Sequence, residues 1–238
     1  MIRLLDDLYL RDQNLTDESF AGRTLDNLVC TNCTFVRCDF SKVSVRQASF
    51  GGGTEHSRYE SCVFDGARLR MSTAGHATLV GCSFRDVRIT GWESRAISLI
   101  DCVFSGTLRD CTISGRLPDD YRSYLGRDDN DIRGNDFSGA TMAQVYFVGG
   151  VDLTAQRLPT GPDYFLVPDA PAEVAAVHAE IEAWPADERR RAGYFLGAFD
   201  RLVAGGQRQV FGRRVDYASG FGEIGERLLD RLAAGPRR

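Results

Sequence analysis

Every fifth residue from Leu10 onward is apolar: Leu10, Leu15, Phe20, Leu25, Cys30, Phe35, Phe40, Val45 and Phe50. In a chain that is 43% apolar, nine such residues in a row arise by chance with a probability of about 0.0005 per frame, so the spacing is a rule of the chain. Gly51, Gly52 and Gly53 break the frame, and it resumes in a new phase at Tyr59. From there it runs through Phe64, Leu69, Ala74, Leu79, Phe84, Ile89, Ser94, Leu99 and Phe104, with Ser94 the polar exception. A four-residue step leads to Leu108 and Ile113, and Ile132, Phe137, Met142 and Phe147 form a last run. Two residues before these central positions stand small or medium apolar side chains such as Cys33, Cys38, Ala48, Cys62, Ala67, Cys82, Cys102 and Ala140. The residue between them is usually polar or β-branched.

In-out-in over three residues is the strand period, so each repeat reads as a short extended side followed by a two-residue turn. A helix cannot use this pattern, because points five residues apart rotate by about 140° around its axis and scatter. A coil with four flat sides places them all inside, and four repeats close one coil of about 20 residues. Cys62, Cys82 and Cys102 recur at that interval, as do Phe64, Phe84 and Phe104. Identical residues should then stack coil upon coil at about 4.8 Å.

The motifs Cys33-Thr34-Phe35-Val36-Arg37, Cys38-Asp39-Phe40-Ser41-Lys42, Cys82-Ser83-Phe84-Arg85-Asp86 and Ala140-Thr141-Met142-Ala143-Gln144 resemble those of the pentapeptide-repeat family. The resemblance covers residues 8 to 153, with gaps at 51–58 and 114–131. It implies an all-β solenoid, a right-handed quadrilateral β-helix without a catalytic site, used as a surface for protein contacts. It also implies two partner options: a branch of the family protects DNA gyrase or topoisomerase IV by mimicking duplex DNA, and that branch dimerises through C-terminal helices.

Charge weighs on the mimicry option. Residues 1–153 hold 21 Asp and Glu against 17 Lys and Arg, and residues 154–238 hold 12 of each, which sums to the net −4 of the whole chain. Duplex DNA carries one charge per about 1.7 Å of axis, far more than this rod could match by net charge. Outward arginines such as Arg37, Arg85, Arg88, Arg95 and Arg109 further interrupt an acidic stripe. The same balance argues against direct nucleic-acid binding through a general positive field. No stretch approaches the roughly 18 apolar residues of a membrane span, and no export signal is visible, so a cytoplasmic location without membrane contact is expected.

The seven cysteines are an odd number for a disulfide framework. Six occupy the small inward slot and Cys30 a central one, so they read as packing groups and not as metal ligands. His56, His76 and His178 are dispersed along the chain. No nucleophile elbow, phosphate loop or zinc signature occurs, and the chain is expected not to be an enzyme and to hold no metal or cofactor. An enzyme would need a polar pocket with convergent titratable groups between the solenoid and the C-terminal helices.

The polar, aromatic-bearing insertion at 114–131 is the natural recognition element, because long loops on rigid scaffolds carry specific contacts. Its candidate contact residues are Asp119, Asp120, Tyr121, Tyr124, Asp128, Asp129 and Asp131. A solvated insertion between coils is the plainer alternative. The expected partner is an unidentified protein bound by a scaffold or interaction module; a type II topoisomerase or a toxin-immunity role is the second reading.

The division expected is 1–153 for the β-helix, 154–170 for a linker marked by Pro159, Gly161, Pro162 and Pro168, and 171–238 for a small α-helical C-terminal segment. There, Asp169 should cap a helix entered through Pro171, with Val174, Val177, Ile181 and Trp184 inward. A second helix over 186–204 should turn Tyr194, Phe195, Ala198, Phe199, Leu202 and Val203 to one side, and a third over 221–234 should use Ile224, Leu228, Leu229 and Leu232. These helices have more apolar surface than they can bury alone, so they should cover the last coil, a second subunit in a homodimer, or both.

Overall fold

A computed structural model describes residues 6–53, 55–72 and 75–235. The strands of the repeat region are β1 (Asp6–Arg11), β2 (Asn14–Thr16), β3 (Thr24–Thr31), β4 (Thr34–Val36), β5 (Ser44–Ser49), β6 (Ser57–Glu60), β7 (Arg68–Met71), β8 (His76–Val80), β9 (Ser83–Thr90), β10 (Glu93–Ser94), β11 (Ala96–Ile100), β12 (Val103–Ser114), β13 (Ile132–Arg133) and β14 (Asp136–Val148). Each pairs in parallel with the strand one coil away, giving one sheet in the order β2-β4-β6-β8-β11-β13 and another through β1-β3-β5-β7-β9-β12, with β14 beyond it. The molecule is thus a parallel-strand β-solenoid of about five turns followed by a few helices.

The expected columns are present. Leu15, Phe35, Tyr59, Leu79, Leu99 and Ile132 are successive register partners. So are Leu25, Val45, Leu69, Ile89, Leu108 and Met142. Phe20, Phe40, Phe64, Phe84, Phe104 and Phe137 form an unbroken stack with ring centroids 4.8, 4.8, 4.6, 4.8 and 4.7 Å apart. Leu10 and Leu15 are only half-buried, because the first coil has a neighbour on one side. Ala74 lies outside the described residues. The exception at Ser94 is compensated within its own repeat: Trp92 fills the small slot and packs 5.6 Å from Phe50, while Ser94 Oγ accepts from the Ser114 amide at 3.1 Å.

The turns explain what the variable positions share. The last residue of many repeats has a positive φ, as at Asp12, Asp17, Asn32, Arg37, Asp86 and Asp101, which suits Asp, Asn and Gly better than branched side chains. Gly106, at φ +89°, sits where the four-residue step occurs, and a Cβ there would run into the Val87 carbonyl oxygen. The chain can shorten by one residue at that corner because the position is glycine.

The C-terminal segment differs from expectation in how it meets the solenoid. The expected linker contains a short 3-10 turn at Leu153–Ala155 and a strand, β15 (Tyr164–Val167), which pairs antiparallel with β16 (Val210–Arg213). Tyr164 stacks on Phe211 at 5.4 Å, and Phe211 meets Phe147 of the last coil at 6.5 Å. Around this two-stranded sheet lie α2 (Ala170–Ile181) and α3 (Ala186–Ala204), which connect its strands, then α4 (Arg214–Ala218) and α5 (Glu223–Ala233). The Asp169 carboxylate accepts from the Ala172 amide at 3.5 Å, and Val174, Val177 and Ile181 are buried; Trp184 is half-buried under the Arg227 guanidinium. The buried face of α3 is Ala192, Phe195, Leu196 and Phe199, which leaves Tyr194 73% exposed. That is the i, i+3, i+4, i+7 stripe of a helix, and Tyr194 falls off it by about 100°.

Candidate interaction surfaces

Since the columns fill the inside of the coil, any recognition by the solenoid falls to its outward side chains. They form ladders between adjacent rungs. Asp7 accepts from Asn27 at 2.9 Å, Asp12 from Asn32 at 2.7 Å, and Asp17 takes Arg37 through both oxygens at 2.8 and 2.7 Å. The last contact holds the Asp17 carboxyl below the usual carboxylate range. The face of β3, β5, β7, β9 and β12 presents no continuous acidic stripe among the described residues, since its outward side chains include Asp26, Arg46, Arg68, Arg70, Arg88 and Arg109.

The insertion at 114–131 is a built protrusion. Arg116 and Asp129 form an antiparallel bridge at its base, and the Leu117 amide donates to the Asp128 carbonyl at 2.8 Å. Between them runs α1 (Asp119–Leu125), ended by Gly126 in the left-handed conformation. Asn130 occupies the small inward slot two residues before Ile132 and donates to the carbonyls of Ser114 at 2.8 Å and Arg95 at 3.0 Å. Arg127 reaches back to the Ala96 carbonyl at 3.4 Å and the Ser98 hydroxyl at 3.4 Å.

The candidate residues divide within this hairpin. Asp119 and Asp120 open α1 and are exposed, and Asp119 is paired with Arg122. Tyr121 is half-buried in the same helix, while the side chain of Tyr124 lies outside the described residues. Asp128 is exposed, Asp129 faces Arg116 at 3.8 Å, and Asp131 sits a strand away, bonded to Arg133 at 3.0 Å. Asp119, Asp120 and Asp128 therefore share the free part of the hairpin, whereas Asp129 and Asp131 belong to its base. Sequence reasoning missed Asn130 and Arg127, which hold the protrusion in place. A signal for the first existed, since a polar residue in an inward slot must find partners.

A second concavity lies between the last coil and the helices, a cleft of 530 Å³ whose lining includes Tyr146, Tyr194, Phe195, Arg201, Asp216 and Tyr217. Burial pushes the Tyr146 phenol up, helped by Asp216 and Asp110; burial does the same to Tyr217. The Asp216 carboxylate accepts from the Gln144 backbone N–H at 2.7 Å. The cleft thus carries several aromatic side chains, and burial keeps the phenols of Tyr146 and Tyr217 neutral.

The cysteines are all free and buried. Burial pushes the Cys30 thiol up to about 12 and Cys111 to about 11. Dispersed as they are in sequence, His56 and His76 meet ring to ring at 4.7 Å on adjacent rungs, and His178 bonds Asp200 at 2.9 Å. Among the described residues, no group of three or more His, Cys, Asp or Glu is placed to hold a metal ion, and no helix is long and apolar enough to cross a membrane.

Columns inside and ladders outside define the class of protein: a β-solenoid of five-residue repeats whose polar chemistry lies on its surface. No family model matches the chain, and neither does any curated protein. Two solved structures of trypsin-treated QnrB1, a plasmid-mediated fluoroquinolone resistance protein, are similar to it. The first has 14% identity and a TM-score of 0.23, covering 65% of this chain and 79% of that one. The second has 16% identity and a TM-score of 0.19, covering 63% and 77%. At that distance neither carries a functional argument, and the fold class rests on the strand register of the chain itself.

Proposed function

We propose that this chain is a non-catalytic protein-interaction module of the pentapeptide-repeat type, which presents the 114–131 hairpin from a rigid solenoid. The observation that carries this reading is the contrast between the two ends of the hairpin. Its base is locked to the preceding coil by Asn130 and Arg127, while Asp119, Asp120 and Asp128 are turned to solvent. A fixed protrusion loses little entropy when a partner closes on it, which is what makes a rigid loop a good recognition element.

Capture from the native host with the intact protein, set against a variant in which residues 116–129 are replaced by two glycines, tests this. The Asn130 amide already donates to the Gly115 carbonyl at 2.6 Å, so the chain can close across the gap. One specific protein should disappear from the second sample; an unchanged set would end the hairpin's role.

A type II topoisomerase remains the second partner class, through the resemblance of the repeats. In such contact, DNA mimicry could not run along the face of β3, β5, β7, β9 and β12, because arginines stand there where an acidic stripe is needed. A gyrase supercoiling assay with and without inhibitor measures it directly, and no effect of the added protein would remove this partner. The C-terminal helices, with Tyr194 exposed beside the aromatic cleft, are the surface by which two copies would meet.

A further inference from the structure

Most arginines on the described part of the solenoid have a partner. Arg37 is held by Asp17, Arg46 by Asp26, Arg85 by Asp65, Arg95 by Glu93 and Arg133 by Asp131. Arg23 lies over the Phe20 ring, and Arg127 is bonded to carbonyl oxygens. Among the described residues, the guanidinium groups of Arg68, Arg70, Arg88 and Arg109 have neither ion pair, hydrogen bond nor aromatic contact, and all four residues stand on one face, on β7, β9 and β12.

Their placement is costly for the isolated protein. Arg68 and Arg88 are register partners on adjacent strands, so two like charges stand side by side at about the strand spacing of 4.8 Å. Arg70 and Arg109 are separated by Thr90 alone, which partners both. Asp26, the carboxylate in the same outward column as Arg46, Arg70 and Arg109, is already bound to Arg46, while Asp86 and Asp110 stand at turn positions of positive φ outside the arginine columns. Folding does not need this charge, since neighbouring rungs carry Ser44 and Thr107 at the equivalent positions. A broad, shallow groove lined by Arg46, Arg68, Arg70 and Arg88 gives the face its shape.

We infer that this arginine face is a binding surface for an acidic polypeptide segment, rich in Asp or Glu, of a protein partner. The inference rests on the interaction-module reading but uses a different surface from the hairpin. Guanidinium groups bind carboxylates through two parallel hydrogen bonds, and a flat sheet holds them at fixed spacing. From Arg46 to Arg109 the column crosses three rungs, about 14 Å, the reach of four or five extended residues. Size and surroundings favour such a short anion over a nucleic acid. The chain has a net charge of −4, so without these four arginines the remainder stands at −8. A long polyanion would run off the patch onto that negative surface, whereas a short acidic segment stays within it.

The test uses fluorescence anisotropy of labelled octaglutamate, with octaglutamine and an eight-thymidine single-stranded DNA as comparison probes, at low ionic strength where surface charge is least screened. Octaglutamate should bind the full-length protein and octaglutamine should not. Arg68→Gln, Arg70→Gln, Arg88→Gln and Arg109→Gln combined should weaken octaglutamate binding at least about tenfold. Arg37→Gln with Arg133→Gln, on other parts of the coil, should change it less than about twofold. The urea midpoint of the fourfold variant should hold or rise, since like charges are relieved. If that variant fails to fold, Arg68→Gln with Arg88→Gln should still weaken binding about threefold. Equal binding by wild type and variants, an equal loss in the control, or tighter binding of the DNA probe would overturn the inference. The hairpin-deleted protein should bind octaglutamate normally, so failure of the hairpin reading and failure of this one give different patterns.

Discussion

Phe84 is fully buried between Phe64 and Phe104, with its ring nearly parallel to both. Phe84→Ala opens a cavity that neighbouring rungs cannot close, because their backbones are tied by the sheet ladders. A loss of about 3–5 kcal/mol is expected in urea denaturation. Leu10→Ala, in the half-buried first rung, should cost markedly less. The cysteines make a second prediction at this scale. Their burial should leave all seven unreactive toward DTNB in the native protein at pH 8, with seven thiols appearing on denaturation. The raised thiols also have a sign in pH. The unfolded chain releases these protons from about pH 9, while folded Cys30 and Cys111 hold them to about 12 and 11. Stability from this source is therefore complete below pH 9 and declines as pH rises beyond it, so the urea midpoint should fall between pH 8 and pH 10. Cys30→Ala with Cys111→Ala should flatten that fall.

The helices meet through a pair that a hydrophobic pattern does not announce. Glu173 on α2 is 3% exposed and is held by Arg231 of α5 at 2.9 Å, with Glu180 on the other side of the guanidinium at 3.0 Å. Arg231→Met removes the counter-charge and leaves a buried carboxylate, for which about 3–5 kcal/mol of lost stability is expected in thermal or urea unfolding. Met at both 173 and 231 should recover much of it. The hairpin element behaves differently. Leu117 is its one buried apolar side chain among the described residues, so replacing 116–129 by two glycines should cost only about 2 kcal/mol and leave the strand content of the circular dichroism spectrum intact.

The whole molecule is finished at its C-terminal end by side-chain amides that replace the missing next coil. Gln156 donates to the Ile132 carbonyl of the last coil at 2.8 Å. Gln207, wholly buried, accepts from Gly150 and Val151 and donates to the Val151 and Gln209 carbonyls. Gln207→Leu leaves those backbone groups without partners at the junction, with a loss of about 1–3 kcal/mol for each group left unsatisfied. Size-exclusion chromatography at raised concentration should then show association beyond that of the wild type, because an uncapped solenoid end offers its strands to another chain.

The repeat was legible in the chain because its cause is local: an inward side chain every fifth residue needs only the alternation of a strand and a turn that tolerates a positive φ. The coil of about 20 residues, the aromatic stack and the burial of the cysteines follow from that arithmetic, and the main helices follow from their apolar stripes. Partners from distant parts of the chain were decided by tertiary structure alone. The four bare arginines, the hold of Asn130 and Arg127 on the preceding coil, the Gln207 cap and the β15-β16 pairing depend on which segments lie side by side. Periodicity places a residue inside or outside its own coil; the charge or carbonyl it will face is set only when insertions of unequal length have fixed the register between coils.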